Sequence, residues 1–311
     1  MATALPLARY RLEFTVETAL RLPAYSGSAL RGAFGHALRS AACMTRQKSC
    51  DACPLLATCP YATIFESRLT GEHALQKFTQ VPHPYIIEPP QWGERDYAPG
   101  EMLSFHLVLA GRALDQAALV FWAFARAFQR GVGRGDGTAQ LLRVVHLGEQ
   151  ETVVLDGPGG HIDDHDTTIA PPPDCAAESL TLQFDTPLRL QANGRRATAE
   201  EYTPRRLLTT LVRRVALMNE FHGAGPLALD FSGLAAQAEV IRSEKKLHWR
   251  DWTRYSSRQD RKMDLGGVIG AWKLSGDLAP FVPFLHLGQW LHVGKEASFG
   301  LGGYRLLHAM P

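Results

Sequence analysis

Apolar and polar side chains follow one another along the first half of the chain in the order of a β-α-β-β-α-β unit. Residues 10–16 and 101–110 alternate between the two types, which is typical of half-buried strands. Residues 26–42 and 114–130 instead carry apolar side chains at helical spacing. The predicted strands of this half are residues 10–16, 81–90, 101–110 and 141–147.

The same order begins again after residue 178. The alternation over residues 180–184 is followed by Leu188-Arg189-Leu190, as residues 12–14 are followed by Leu20-Arg21-Leu22. A faint repeat with a period of half the chain indicates two related domains rather than a solenoid. The elements predicted here are helices over 203–221 and 281–292, and strands over 180–184, 248–256, 267–274 and from Tyr304.

Two tandem β-α-β-β-α-β units are ferredoxin-like (RRM-like) domains, so the predicted fold class is α+β. We place the N-terminal domain at residues 1–155 and the C-terminal domain at residues 179–311. Residues 156–178 are rich in Gly, Pro, Asp and His without periodicity, which is typical of a linker. A solvated loop explains His161 and His165 in this linker better than a metal site does.

A glycine-rich loop at residues 294–303 lies between the last predicted helix and the last strand. It contains Lys295, and glycines leave backbone N–H groups open to an anion, so phosphate is the natural ligand. It is not a Walker loop, because Gly-Lys-Ser/Thr is absent and the helix comes first. The alternative is a tight turn that needs positive φ.

Four of the five cysteines lie within residues 43–59, an insert after the first helix. Their spacing is Cys43-x6-Cys50-x2-Cys53-x5-Cys59, while Cys175 is alone. Four thiolates can enclose one ion, and we expect a structural zinc, with an iron–sulfur cluster as the alternative. The spacing differs from that of ferredoxin clusters. Four reduced structural cysteines would also explain the insert.

Composition places the chain among ordinary globular proteins, with 311 residues, 45% hydrophobic and 21% charged. No apolar run reaches membrane-spanning length and no signal peptide is evident, so we expect a cytoplasmic protein. The net charge of +2 says little as a sum, and its distribution must carry any conclusion.

Basic residues concentrate between residues 242 and 262, where Trp249, Trp252 and Tyr255 are interleaved with them. Basic and aromatic side chains together suit RNA, because phosphates are neutralised and unstacked bases find flat partners. An edge strand protected by charge, with its tryptophans in the core, is the alternative. The candidate RNA contacts are Lys245, Lys246, Arg250, Arg254 and Arg258, with Arg205 and Arg206 from the preceding helix.

The helix over residues 26–42 carries two glycines away from its apolar stripe. Gly32 and Gly35 share a predicted face with His36 and Arg39. Each glycine costs the helix about 1 kcal/mol against alanine. The close approach of another backbone to this face would account for that cost, and so would close packing of the helix on a sheet.

Three motifs together resemble the CRISPR-associated RAMP endoribonucleases that process precursor CRISPR RNA. They are Gly27-Ser-Ala-Leu-Arg-Gly-Ala-Phe-Gly35, the Cys-x2-Cys-Pro-Leu segment leading to Tyr61 and Phe65-Glu66, and Gly294-Lys-Glu-Ala-Ser-Phe-Gly-Leu-Gly302. The resemblance covers nearly the whole chain. The first and last motifs are shared widely among RAMP proteins, whereas the cysteine segment matches one branch of the processing enzymes.

The resemblance implies metal-independent cleavage within CRISPR repeats, in which the ribose 2′-hydroxyl attacks the adjacent phosphate. The products would carry 2′,3′-cyclic phosphate and 5′-hydroxyl ends, and no catalytic metal is expected. The implied partners are repeat RNA, as precursor and mature guide, and subunits of a CRISPR effector complex. Neither DNA nor a membrane is expected. The alternative is a non-catalytic RAMP subunit that holds guide RNA.

This chemistry needs a base, an acid and a cation. In many such enzymes a histidine lies on or just after the first helix, a position matched here by His36. Arg39, one turn on, and Lys295 are the candidate cations. A plain surface role for His36 is the alternative, and the rival histidines are His222, His248, His286 and His292. The loop residues expected to contact RNA are Gly294, Lys295, Ser298, Gly300, Gly302 and Gly303.

Overall fold

A computed structural model describes residues 5–67, 81–133, 137–169, 178–256 and 261–307. Its contacts divide the chain into two compact units. One unit runs to Ile169 and also includes Met218–Gly225, and the other holds the remainder of the C-terminal half. The division after Ile169 lies inside the predicted linker. No helix in these described ranges is long and apolar enough to cross a membrane.

The N-terminal unit is built on a five-stranded antiparallel sheet with the strands in the order β3-β5-β1-β6-β7. A short π-helix, Ala62–Glu66, follows the cysteine segment. The elements are β1 (Leu7–Val16), β2 (Leu20–Leu22), α1 (Gly27–Ala42), β3 (Tyr85–Glu88), β4 (Arg95–Tyr97), β5 (Met102–Ala110), α2 (Ala117–Arg130), β6 (Ala139–Leu147) and β7 (Glu151–Asp156).

The alternation along β1 separates a core face from an outer face. Leu12 and Phe14 are fully buried on the core face, where the Phe14 ring lies 4.2 Å from that of Phe128 on α2. The ring of Phe34 on α1 stacks on Phe124 at 4.6 Å. Aromatic side chains from both helices therefore fill the layer above the sheet, as the periodicity predicts.

The outer face of β1 carries a buried carboxylate between two arginines. Glu13 is 4% exposed. Its Oε1 accepts a hydrogen bond from Arg11 Nε at 2.7 Å, and its Oε2 accepts one from Arg143 Nε at 2.6 Å. Arg11 also pairs with Glu151 on β7. This network satisfies the buried charge and ties β1 to β6 and β7.

The C-terminal unit repeats the same plan with a four-stranded sheet in the order β11-β14-β8-β15. This order corresponds strand for strand to β3-β5-β1-β6, so both units are ferredoxin-like and the predicted fold is confirmed. The elements are β8 (Ser179–Leu188), β9 (Gln191–Ala192), β10 (Arg195–Arg196), α3 (Pro204–His222), α4 (Phe231–Glu239), β11 (Arg242–Arg250), β12 (Thr253–Ser256), β13 (Arg261–Asp264), β14 (Gly267–Ser275), α5 (Val282–Leu291) and β15 (Tyr304–Leu307).

Several elements differ from the sequence prediction, most of them short strands. Strand β11 begins at Arg242, well before the predicted start at residue 248, because this edge strand is charged on both faces and shows no apolar alternation. Strand β7 and helix α4 were not predicted. Asp230 caps α4 by accepting a hydrogen bond from Gly233 N at 2.9 Å, a sequence signal that the prediction did not use.

Candidate active site

Helix α1 presents His36 to solvent. The side chain is exposed, and so is Gly32 one turn before it. A Cβ added at Gly32 would have no heavy atom within 4 Å. The surface around these two residues is therefore open to a large ligand.

Gly35 lies on the other side of the helix, so the prediction that it shares a face with His36 is wrong. It is buried, and an added Cβ would lie 2.3 Å from the ring of Phe65. The guanidinium of Arg31 lies over the same ring at 4.4 Å. The π-helix after the cysteine segment covers this stripe of α1, so internal packing explains the second glycine.

Arg39 is held by the cysteine segment. Its Nη2 donates to the carbonyl oxygen of Gln47 and, at 3.2 Å, to that of Lys48. The guanidinium also lies 5.7 Å from the ring centre of Tyr61. These contacts connect α1 to the segment that follows it. The sequence spacing did not indicate this structural role of Arg39. The predicted contact between Arg39 and phosphate stays a prediction.

A second polar group near α1 escaped the sequence reasoning. Arg31 Nη2 lies 3.2 Å from His83 Nε2, and His83 Nδ1 lies 3.2 Å from Ser67 Oγ. The ring of His83 stacks on that of Tyr85 at 5.5 Å. The only local signal was the position of His83 between two prolines, which restrict the backbone on both sides.

The glycine-rich loop uses much of its backbone inside the protein. Gly302 N donates to Pro187 O at 3.0 Å, and Gly300 N donates to Ala297 O at 2.9 Å. Gly303 N donates to Thr186 Oγ1 at 2.8 Å, and that hydroxyl donates to Gly300 O at 2.7 Å. The sequence analysis expects open N–H groups at Gly300, Gly302 and Gly303. That expectation does not hold, because these glycines are buried and bonded internally.

Conformation and close packing account for the loop glycines. Gly294 has φ +91°, and an added Cβ would lie 2.5 Å from Arg189 O. Lys295 is exposed, and Ser298 is partly buried. These two side chains remain the part of the loop that a phosphate can reach. His292, at the end of α5, is 4% exposed, which agrees with a packing part.

The basic strand β11 divides its lysines between two faces of the sheet. Lys245 points to the helix side, where its Nζ donates to Tyr202 O at 2.5 Å and lies 5.4 Å from the Trp272 ring centre. Both lysines are exposed, and Lys246 lies on the opposite face of the sheet. The strand register places Lys246 opposite Ala271, Ala271 opposite Gln183, and Gln183 opposite Arg305. These four residues therefore form one row across the sheet. Alternate residues of β11, rather than all of them, therefore form an outer basic surface.

The other predicted RNA contacts have varied surroundings. Arg206 donates to Gln191 O at 2.8 Å and to Glu201 O at 2.9 Å. Arg205 is exposed and pairs with Glu239 at 3.1 Å. Arg250 is partly buried. The side chain of Arg254, and Arg258 as a whole, lie outside the described residues.

Four cysteines line one cavity of about 130 Å³, beside Met44 and Leu56 among others; they are Cys43, Cys50, Cys53 and Cys59. None of them forms a disulfide. Across the described ranges, no group of three or more His, Cys, Asp or Glu side chains is arranged closely enough to hold a metal ion.

Burial acts to raise the pKa of the Cys43 thiol, but hydrogen bonds outweigh it and hold that pKa below its usual value. The donors are the backbone of Arg46 and the side chains of Thr45 and Arg39. Thiolate character at Cys43 is therefore favoured.

Comparison with known proteins gives two family matches. Residues 5–167, more than half of the chain, match the N-terminal domain family AF_1859_N. Residues 182–304 match the family of the CRISPR-associated endoribonuclease Cas6. A comparison with curated proteins found no match.

Solved Cas6 structures share the fold over nearly the whole chain. A Cas6 product complex is 17% identical with a TM-score of 0.59, covering 97% of this chain and 100% of that one. Thermus thermophilus Cas6 is 15% identical with a TM-score of 0.53, covering 98% and 99%. A partial Cas6-RT-Cas1–Cas2 complex is 14% identical with a TM-score of 0.57, covering 99% of this chain and 47% of that one. Residues 5–167 therefore belong to the AF_1859_N family, and the match of residues 182–304 to the Cas6 family supports a CRISPR-associated, RAMP-type endoribonuclease of CRISPR RNA processing.

Proposed function

We propose that this endoribonuclease cleaves precursor CRISPR RNA within its repeats without a catalytic metal, and that His36 carries the proton transfer. The observation that carries the proposal is the exposed His36 on α1, beside a glycine whose surroundings are open. Histidine titrates near neutral pH, so one side chain can accept or donate a proton under physiological conditions.

The reaction needs only groups of the RNA and of this chain. A base removes the proton of the 2′-hydroxyl, and the oxygen attacks the adjacent phosphorus. The new bond joins phosphorus to O2′ and the bond from phosphorus to O5′ breaks. An acid then protonates the leaving O5′. The products are a 2′,3′-cyclic phosphate and a 5′-hydroxyl, and no water molecule or metal ion is consumed.

Arg39 is proposed to stabilise the charge that develops on the phosphorane, and Lys295, which is exposed in the C-terminal unit, is proposed as a phosphate contact. Arg39 lies one turn after His36, and a guanidinium has five N–H donors in all. Its bonds to Gln47 and Lys48 fix the direction of the group, so a phosphate would bind a preset donor rather than a mobile one.

The proposed RNA-binding surface is the outer row of the C-terminal sheet, with Lys246 and Arg305 at its two edges. Arg305 pairs with Asp185 through bonds of 2.8 and 3.1 Å, which holds its guanidinium in place. A Cas6 of similar fold was solved as a product complex, which supports repeat RNA, precursor and mature, as the ligand here. Another lies in an assembly with Cas1 and Cas2, which supports protein partners, and we extend this to effector subunits.

The test uses labelled RNA that contains one CRISPR repeat from the source genome, incubated with the full chain in EDTA. We expect one cut per repeat, with a 2′,3′-cyclic phosphate on the 5′ fragment. His36→Ala should lower the single-turnover rate about 100-fold or more and leave the dissociation constant nearly unchanged. His161→Ala is the matched control, since this exposed histidine lies on the linker.

Three results would contradict the proposal. One is cleavage that EDTA abolishes and Mg²⁺ restores. Another is a cut that persists when the nucleotide before the scissile phosphate is 2′-deoxy. The third is a fully active His36→Ala protein, which would move the proton transfer to another group such as His83. Tight binding without any cut would instead favour the role of a guide-holding subunit.

A further inference from the structure

We propose that Cys43, Cys50, Cys53 and Cys59 bind one zinc ion in a closed, structural site. The fold brings cysteines from the end of α1 and from the following turns to the same cavity, although sixteen sequence positions separate the first from the last. All four are free of disulfides and partly buried. The structure therefore adds to the sequence spacing that all four thiols line the same cavity.

The turns of the segment provide ligand pairs that zinc sites commonly use. Cys53 N donates to Cys50 O at 3.2 Å, and Leu56 N donates to Cys53 O at 3.1 Å, so a tight turn joins two of the thiols. Two cysteines separated by two residues on a turn can both face one ion. Cys43 and Cys59 approach from the two ends of the segment.

Binding requires the sulfurs to converge, because each Zn–S bond is about 2.3 Å long. Two of these thiols have long side-chain contacts: Thr45 Oγ1 lies 3.4 Å from Cys53 Sγ, and Cys59 Sγ lies 4.0 Å from Ala42 O. Giving up these two contacts costs little against metal–thiolate bonds. Because all four thiols line one cavity, we expect them to converge when the ion binds.

The donor set also defines the kind of site. Four thiolates fill the tetrahedral shell of zinc and leave no position for a water molecule or an RNA oxygen, so the ion would take no part in cleavage. Its effect would be mechanical. The segment holds Arg39 through Gln47 and Lys48, and it leads into the π-helix that places Phe65 against Gly35. Zinc would thus fix the half of α1 that carries His36.

The first experiment measures metal in the full chain, purified without chelator. We expect one zinc per chain and little iron by elemental analysis. Cys53→Ser should lose most of the zinc, whereas Cys175→Ser, the matched control outside the segment, should keep it. Because Cys53→Ser could misfold, the wild-type chain is also reconstituted with cobalt(II), and the spectrum of a tetrahedral thiolate site is expected.

A further readout is the thermal unfolding midpoint, which should fall when a thiol-modifying reagent releases the zinc. The proposal is overturned by iron with acid-labile sulfide in place of zinc, or by wild-type chain that takes up neither zinc nor tetrahedral cobalt. Equal zinc loss in Cys175→Ser would overturn it as well. RNA cleavage is measured separately, so a metal-free but active enzyme would refute the zinc site and leave the nuclease mechanism untouched.

Discussion

Gly302 and Gly32 differ in the space that each leaves for a side chain. Gly302 has φ +71°, and an added Cβ would lie 1.8 Å from the backbone oxygen of Val293. We expect Gly302→Ala to lower the free energy of unfolding by about 2–4 kcal/mol, since both conformation and space forbid a side chain. Gly32→Ala should raise it by roughly 0.5–1 kcal/mol, because the site is helical and open. Urea unfolding of both variants checks this pair.

The same Gly32→Ala variant tests how RNA meets α1. If RNA lies close to the open face beside His36, the added methyl group should weaken repeat RNA binding even though the protein becomes more stable. Opposite signs in the two measurements cannot arise from a folding defect. Unchanged RNA affinity and cleavage would show that the RNA stays away from this part of the helix.

Glu13 gives stability a pH dependence that can be assigned to one group. Burial acts to raise its pKa, but hydrogen bonds from Arg11 and Arg143 outweigh burial and hold the pKa below the usual value of 4.5. The carboxylate form is therefore favoured by folding, and its contribution is present above pH 4.5 and lost as the pH falls further.

We expect Glu13→Gln to destabilise the protein by about 2 kcal/mol at pH 7, because two charge-assisted hydrogen bonds are weakened. The difference between wild type and variant should shrink as the pH falls below about 4.5. Chemical unfolding across this range is the measurement. A difference that stays constant with pH would contradict the assignment to Glu13.

At the level of elements, strand β11 makes a direct prediction about neighbouring lysines. Lys246→Ala removes an outer cation, so the slope of log affinity against log salt for repeat RNA should fall by about 0.7–0.9. Lys245→Ala removes a cation that faces Tyr202 and Trp272, so it should lower stability and leave the salt slope unchanged. Equal effects of the two variants on RNA binding would contradict the division into faces.

Periodicity recovered the elements that bury one face, and it failed where burial is decided by distant residues. Strands β1 and β5 alternate visibly because one side of each meets the core. Strand β11 shows no alternation, since an edge strand of charged residues has little to bury. The side of α1 that holds Gly35 is covered by Phe65, thirty positions later in the sequence. No helical projection of α1 alone could show that contact.

The glycine-rich loop is a second case in which the local sequence does not determine the contacts with distant residues. Its glycines and lysine are compatible with a phosphate site and with a packed turn, and both interpretations stood open in the sequence. The hydrogen bonds of Gly302 and Gly303 to Pro187 and Thr186 decide between them for the inner part of the loop. Local sequence contains the residue types, but their bonding partners come from β8, more than a hundred positions away.

Over the whole molecule, the faint sequence repeat corresponds to a repeated backbone contact. An added Cβ at Gly133 would lie 2.3 Å from Arg21 O, and one at Gly294 would lie 2.5 Å from Arg189 O. Arg21 and Arg189 occupy the same place in the Leu-Arg-Leu motifs that first indicated the repeat. Each unit therefore needs glycine where the connection after its second helix crosses the segment after its first strand.

The additions to the two units also fall at corresponding positions. The cysteine segment of the N-terminal unit lies between α1 and β3. Helix α4 of the C-terminal unit lies between α3 and β11, the corresponding elements. A duplicated core with different insertions in one slot explains why the strand order is shared while the surfaces differ.

The contact pattern makes a last prediction about the chain as a whole. Met218–Gly225 belongs to the N-terminal unit by its contacts, although it lies far along the sequence. His222 Nε2 lies 2.8 Å from Pro82 O. Gly111 has φ +50°, and an added Cβ there would lie 1.6 Å from His222 O, so the backbones pack closely.

A fragment of residues 1–169 lacks this segment and should be less stable than the same unit in the full chain. Hydrogen exchange measures the effect locally: amides near Pro82 and Gly111 should lose protection in the fragment, while those of β1 lose less. Joining residues 204–225 to the fragment by a flexible linker is the control and should restore protection. A fragment as protected as the full chain at these amides would mean that the N-terminal unit is complete without its later segment.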